Sequence, residues 1–158
     1  MMNKQKKTGA VQYKINDIRE LEIHIPLLSV ELIDNFDEQK LDYGFNFDYH
    51  WDLNASTFSV VTEVHYVYDR EHLNETFLEY TAEVEYQVPE LSEIIDVQRN
   101  EMTMSEEFLA ILTGIAFSTV RGMVATRTLG KFQGDFHIPI ISPILIVKQY
   151  LKTQKAGV

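Results

Sequence analysis

The chain contains no cysteine, so disulfides, zinc–thiolate sites and thiol catalysis are excluded from the outset. Basic residues are scarce: 14 Lys and Arg stand against 24 Asp and Glu, a net charge of −10. The deficit is local, because residues 17 to 101 hold 21 acids against only Arg19, Lys40, Arg70 and Arg99. A block this acidic repels phosphates, which argues against nucleic acid as a partner. G-x-S-x-G, Walker A and G-x-G-x-x-G stretches are all missing, and the glycines of Gly130-Lys-Phe-Gln-Gly134 lack the Lys-Ser/Thr pair and preceding strand of a phosphate loop. None of the five histidines stands in a His-x-x-x-His or Glu-x-x-His spacing, so they read as solvated surface groups, and no metal or cofactor is expected. The opening MMNKQKKTGAVQYKIND is basic with no apolar core behind it, unlike a secretory signal, and the cytoplasm is the expected location.

What is present is a chain with 45% hydrophobic and 11% aromatic residues, which fits one folded domain. The first 16 residues read as a loose basic arm, 17–152 as the domain and 153–158 as a tail. From Ile18 the pattern alternates, with Leu21, Ile23 and Ile25 on one side and Glu20, Glu22 and His24 on the other. Pro26 interrupts, and Leu28, Val30 and Leu32 resume with opposite parity, as in an edge strand bent near Pro26. Three further strands follow. Tyr43, Phe45, Phe47, Tyr49, Trp51 and Leu53 share one face of the first; Phe58, Val60, Val64, Tyr66 and Tyr68 that of the second; Leu78, Tyr80, Ala82, Val84, Tyr86 and Val88 that of the third. Short loops make these an antiparallel meander, and pairing Leu53 with Phe58 sets Phe47 opposite Val64 and Phe45 opposite Tyr66. The other face then becomes an acidic plate that includes Asp48, Glu63, Glu79, Glu83 and Glu85. These carboxylates lie flat and wet, where nothing would shift their pKa, so no enzymatic activity is expected.

The period then turns helical. Thr103-Met-Ser-Glu106 fits a capping box, and apolar residues from Phe108 to Val124 run almost all the way round the segment 104–128. The run Phe108 to Val120 ends at Arg121, too short for the roughly 20 residues of a membrane span. A helix apolar on all sides needs cover on all sides, and one four-stranded sheet supplies only one. The expectation is a homo-oligomer with Leu112, Ile115, Phe117 and Met123 at the interface. Gly130 is placed to stop this helix, and Pro143 to start a final one. Between them lie Phe132, Phe136, Ile138, Ile140 and Ile141 among two glycines and two prolines, a loop unusually rich in apolar residues. Two fates are open to these side chains: the core, or a channel that grips extended polypeptide.

The segment STVRGMVATRTLGKFQGDFHIPIISPILIVKQYL resembles the C-terminal third of the protein-export chaperone SecB and its relatives. Gly130 and Phe132 match the Gly-x-Phe of the family's Arg-Gly-x-Phe-Pro, and Pro139-Ile140 matches its Pro-Val after a short gap. Gln133 replaces a proline, Ile141-Ser142 replaces Asn-Phe, and the family's proline within the long helix is absent, which marks a divergent member. The resemblance implies an α+β fold: a four-stranded antiparallel sheet on a long helix, then a Gly/Pro crossover loop and a final helix. It further implies a dimer of dimers that holds unfolded polypeptides without ATP, with Phe132, Phe136, Ile138, Ile140, Ile141 and Ile144 as the peptide-binding set. The acidic face could dock SecA in export. Chaperoning of an antitoxin, and an oligomer that binds a small hydrophobic ligand, are the alternatives.

Overall fold

The computed structural model describes residues 11–25, 36–70, 73–96, 101–129 and 138–156. Strands β1 (Lys14–His24), β2 (Leu41–Asp52), β3 (Thr57–Arg70) and β4 (Leu73–Gln87) form one antiparallel sheet in the order β1-β4-β3-β2. A single helical turn, α1 (Leu91–Ile94), and a two-residue hairpin, β5 (Ile95–Asp96) with β6 (Glu101–Met102), lead into the long helix α2 (Glu106–Thr128). The final helix, α3 (Pro143–Ala156), packs beside α2. The chain is thus an α+β fold with its helices on one face of the sheet.

Period-two alternation carries straight into burial. Phe58, Val60, Thr62, Val64, Tyr66 and Tyr68 of β3 are buried, as are Leu78, Tyr80, Ala82, Val84 and Tyr86 of β4, while the residues between them are mostly half-exposed. Phe108, Leu109, Leu112, Ala116, Phe117, Val120 and Val124 of α2 close over this face. Fully burying one such large side chain contributes about 1.5–3 kcal/mol. Buried tyrosines reach across the layers: the Tyr86 hydroxyl donates to the Leu112 carbonyl at 2.7 Å. Thr113 donates its own proton to the Leu109 carbonyl at 2.8 Å, so Tyr49 is the donor in the 3.0 Å hydroxyl pair the two share. α2 is long and apolar enough to cross a bilayer, yet its buried side covers the sheet.

Several expectations are corrected. The β2–β3 register is two residues from the one expected: Trp51 faces Phe58, Phe47 faces Thr62 and Phe45 faces Val64. Two residues is one full pleat, so every side chain keeps its face. The turn sets the difference. Asp52 accepts from the amides of Asn54 and Ala55, and Ser56 takes φ of 54°, which puts Leu53 inside the loop. β1 starts at Lys14, inside the stretch read as an arm, and its bulges fall between Ile15 and Asp17 and between Glu20 and Glu22. The second bulge turns Glu20 to the helix side, opposite Ala82. The expected bend at Pro26 and the Gly130 stop lie outside the described residues. The helix cap is Ser105, whose hydroxyl accepts from the Phe108 amide at 3.1 Å, rather than Thr103. A bulge in β4 lets both Phe77 and Leu78 enter the core.

Gly114 and Gly122, two turns apart on α2, differ in purpose. A Cβ on Gly114 would stand 2.9 Å from Cγ of Pro143, whereas one on Gly122 would meet nothing within 4 Å. Gly122→Ala should therefore stabilise the fold by about 0.8–1 kcal/mol through helix propensity. Gly114→Ala should lose that gain to the collision with the Pro143 ring, and urea unfolding of the two variants measures the difference.

Candidate functional site

The close approach of Pro143 to Gly114 opens a furrow between α2 and α3. It measures about 780 Å³ and is lined by Ile111, Gly114, Ile115, Ser118, Pro143 and Ile144, among others. Its walls are almost wholly apolar; the Thr119 hydroxyl at its border is bound to the Ile115 carbonyl at 2.9 Å. Large apolar side chains stand exposed on this chain, one of them, Ile111, on the furrow wall. Ile140 is 85% exposed, Leu145 65% and Ile111 48%. A soluble surface seldom gathers such residues unless something covers them.

The expected peptide-binding residues separate. Ile144 lines the furrow, and Ile140 projects into solvent beside Pro143. Ile141 is half-buried against the cluster of Val64, Tyr66 and Phe117, and Ile138 is buried within it, which makes Ile138 a core residue in this chain. Phe132 and Phe136 lie outside the described residues. The expected interface set divides as well. Leu112 and Phe117 point into the chain's own sheet, so their place at an interface is corrected: 3.6-residue periodicity gives them to the sheet side. Met123 is half-buried, and Ile115 lines the furrow. The uncovered stripe of α2 is instead Ile111, Ser118, Gly122, Ala125 and Leu129, a set that a reading by hydrophobicity alone passes over because three of its members are small.

A second apolar feature runs along β2, which among the described residues has no neighbour on its outer side within the sheet. Tyr43 is 46% exposed, and Phe45, Phe47 and Trp51 are half-buried on the helix side. The rings of Tyr43, Phe45 and Phe47 form a contiguous row, Tyr43 stacking on Phe45 at 6.0 Å, Phe45 meeting Phe47 at 6.3 Å and Phe117 edge-on at 5.2 Å. An unpaired edge beside an aromatic row is what an added extended strand engages.

The opposite face carries the expected carboxylates in two unequal halves. Arg19 on β1 binds Glu83 at 2.8 Å and lies 3.7 Å from Glu85 and 3.6 Å from Asp17; Asn16 also donates to Glu85. Asp48 and Glu79 form no ion pair among the described residues, and Glu63 accepts only from Asn46, at 3.1 Å. His65 lies across Gly44 and His50 faces Ser59, pairings displaced by the two-residue register change. No group of three or more His, Asp or Glu among the described residues is placed to hold a metal ion.

One polar cluster ties the layers together. Glu20, turned inward by its bulge, accepts from the Tyr80 hydroxyl at 2.7 Å and from Arg127 Nε at 3.0 Å and Nη2 at 2.9 Å. The Tyr80 hydrogen bond, and after it that of Arg127, hold the Glu20 carboxyl below the usual carboxylate range. Burial, assisted by Glu20, pushes the Tyr80 hydroxyl up, so it stays a donor.

No protein-family model matches the chain, and no curated protein does. Among solved structures it is similar to a SecB-like chaperone of Mycobacterium tuberculosis, in complex with a ChAD peptide from the HigA1 antitoxin. Identity is 16% and the TM-score 0.49, over 82% of this chain and 88% of that one. It is also similar to a protein of unknown function from Streptococcus agalactiae, at 14% identity and TM-score 0.42, over 84% and 100% of the two chains.

The Glu20 cluster sets a pH dependence whose sign is fixed. A carboxyl held low in the folded state adds stability above its unfolded value of about 4.3, and that stability disappears as pH falls through the lowered folded value. Glu20→Gln should flatten this acid limb in unfolding experiments between neutral pH and pH 2.

Proposed function

We propose that this protein is a chaperone that holds extended apolar segments of other polypeptides without nucleotide. The observation that carries this reading is the open apolar furrow between α2 and α3, lined by exposed Ile111 with Ile115 and Ile144. An open trough suits a chain that enters and leaves along its length, whereas a small ligand is normally enclosed over most of its surface. Many shallow contacts, each contributing modestly, add up to tight holding when one client spans several sites.

The reading includes assembly. Gly122, Ala125 and Leu129 at the uncovered end of α2, and β1, with Ile15, Ile18, Leu21 and Ile23 exposed and no neighbour on its outer side among the described residues, favour association of copies into a dimer of dimers in the cytoplasm. Precursors handed to SecA and an antitoxin held for its toxin are the two client settings, and the acidic face bears on the first. Its β2–β3 half, free of Arg19, offers carboxylates to a basic partner surface.

Two measurements test these parts separately. The protein should suppress light scattering by a heat-aggregating client at near-stoichiometric ratio. Ile111→Glu combined with Ser118→Glu should abolish suppression at unchanged native mass and unfolding midpoint, because both residues line the furrow and are exposed. Undiminished suppression by that variant would refute the furrow as the client site. Asp48→Lys with Glu63→Lys should weaken SecA binding about tenfold in low salt while client holding persists, and equal SecA binding would reduce the acidic face to a solubility device.

A further inference from the structure

The outermost strand is held to the sheet but contributes nothing to its core. All eleven residues of β1 are exposed, and its apolar members Ile15, Ile18, Leu21 and Ile23 keep between 39% and 51% of their surface in solvent. The strand it pairs with is the opposite case. Tyr80, Ala82, Val84 and Tyr86 of β4 are fully buried, and they stand opposite Ile23, Glu20, Ile18 and Ile15 in turn. Two bulges break the β1–β4 ladder, whereas β2 and β3 pair without a shift. β1 is therefore kept by backbone hydrogen bonds and a few polar contacts. An element with so little apolar burial opens at lower free energy than the core beside it. Its most specific anchor is Glu20, whose Oε1 accepts from Arg127 Nη2 at 2.9 Å and whose Oε2 accepts from Arg127 Nε at 3.0 Å and from the Tyr80 hydroxyl at 2.7 Å. Arg127 belongs to α2 and Tyr80 to β4, so this donor set stays behind when β1 leaves.

We propose that the edge of β4 is a strand-accepting site for polypeptide, covered by the chain's own β1, and that an extended client segment of the same pattern displaces that cover. The pattern is written in β1 itself: branched aliphatic side chains opposite Tyr86, Val84 and Tyr80, and a carboxylate opposite Ala82 within reach of Tyr80 and Arg127. The main-chain hydrogen bonds of an added strand supply affinity. The carboxylate, met by a planar fork of donors and a phenol, fixes register. None of these residues lines the furrow, so the inference stands apart from the furrow reading.

The chain has no cysteine, so Arg19→Cys with Glu83→Cys, opposite each other across β1 and β4, introduces a single disulfide that locks the cover in place. The probe is a labelled, capped peptide of the β1 sequence, KINDIRELEIH, with a twin that carries glutamine at the Glu20 position. Fluorescence anisotropy should show the reduced variant binding the probe about tenfold or more tighter than the oxidised one. The unfolding midpoint of the oxidised form, expected at or above that of the reduced form, verifies that the locked chain is folded. In the unsubstituted chain the probe should bind about five- to tenfold tighter than its twin. Arg127→Gln should erase that ratio, and Arg127→Lys should retain part of it. Equal binding by the oxidised and reduced forms places the probe elsewhere and overturns the proposal, as does binding by neither. A ratio that survives Arg127→Gln overturns the carboxylate in the pattern. On a non-reducing denaturing gel the oxidised variant should run as a single chain. A covalent dimer would show β1 of one copy lying on β4 of another, and would overturn the site as a client site in favour of strand exchange.

Discussion

The long helix α2 carries more apolar surface than one face of a four-stranded sheet can cover. That mismatch shapes everything around it. Phe108, Leu112, Phe117, Val120 and Val124 take the sheet, with β3 and β4 at the centre of the contact. α3 covers part of a second flank, admitted by the absence of a side chain at Gly114 and held by Val147 and by the edge-on contact of Tyr150 with Tyr49 at 4.8 Å. A third flank remains, small and shallow along Ser118, Gly122 and Ala125, and the furrow is the seam where the second and third meet. The proposed holding of polypeptide is thus a use of surface the fold itself leaves uncovered.

The sheet divides labour by parity. One set of alternate residues builds the core, and the other carries nearly all the charge. Several polar groups that enter the apolar side make their bonds there, Tyr86 to the Leu112 carbonyl, Tyr49 to Thr113 and Tyr80 to Glu20, while the buried Thr62 hydroxyl has no partner among the described residues. These contacts stitch sheet to helix at defined heights, which greasy packing alone would leave free to slide. The Glu20 cluster adds the outermost strand to the same framework, tying it to the last turn of α2 through both guanidinium donors of Arg127.

Much of this was legible in the residues. Alternation gave all four strands and assigned nearly every side chain of β2, β3 and β4 to its face, and the circumferential apolarity of 104–128 announced both the helix and its need for cover. What escaped has particular causes. The β2–β3 register slid by one pleat because facial patterning is blind to a two-residue shift, and the decisive Asx-type turn at Asp52 is a backbone matter. Glu20 was misplaced because a bulge reverses parity beyond it, and bulges have no composition of their own. The two-residue strands β5 and β6 are too short to show a period at all. Of the furrow lining, Ile144 stood in the expected peptide-binding set and Ile115 in the expected interface set, but the furrow itself was not foreseen, since it depends on Gly114 and Ser118, residues notable for the volume they do not occupy.

The order of strands in space has a bearing on how the molecule comes into being. β2, β3 and β4 are successive hairpins, each able to close on its neighbour soon after synthesis, but β1 pairs only with β4, the last of the four to leave the ribosome. A strand bearing Ile15, Ile18 and Ile23 must therefore wait, unmatched, while the meander assembles ahead of it. A protein proposed to hold unfinished chains passes through that condition itself during its own birth.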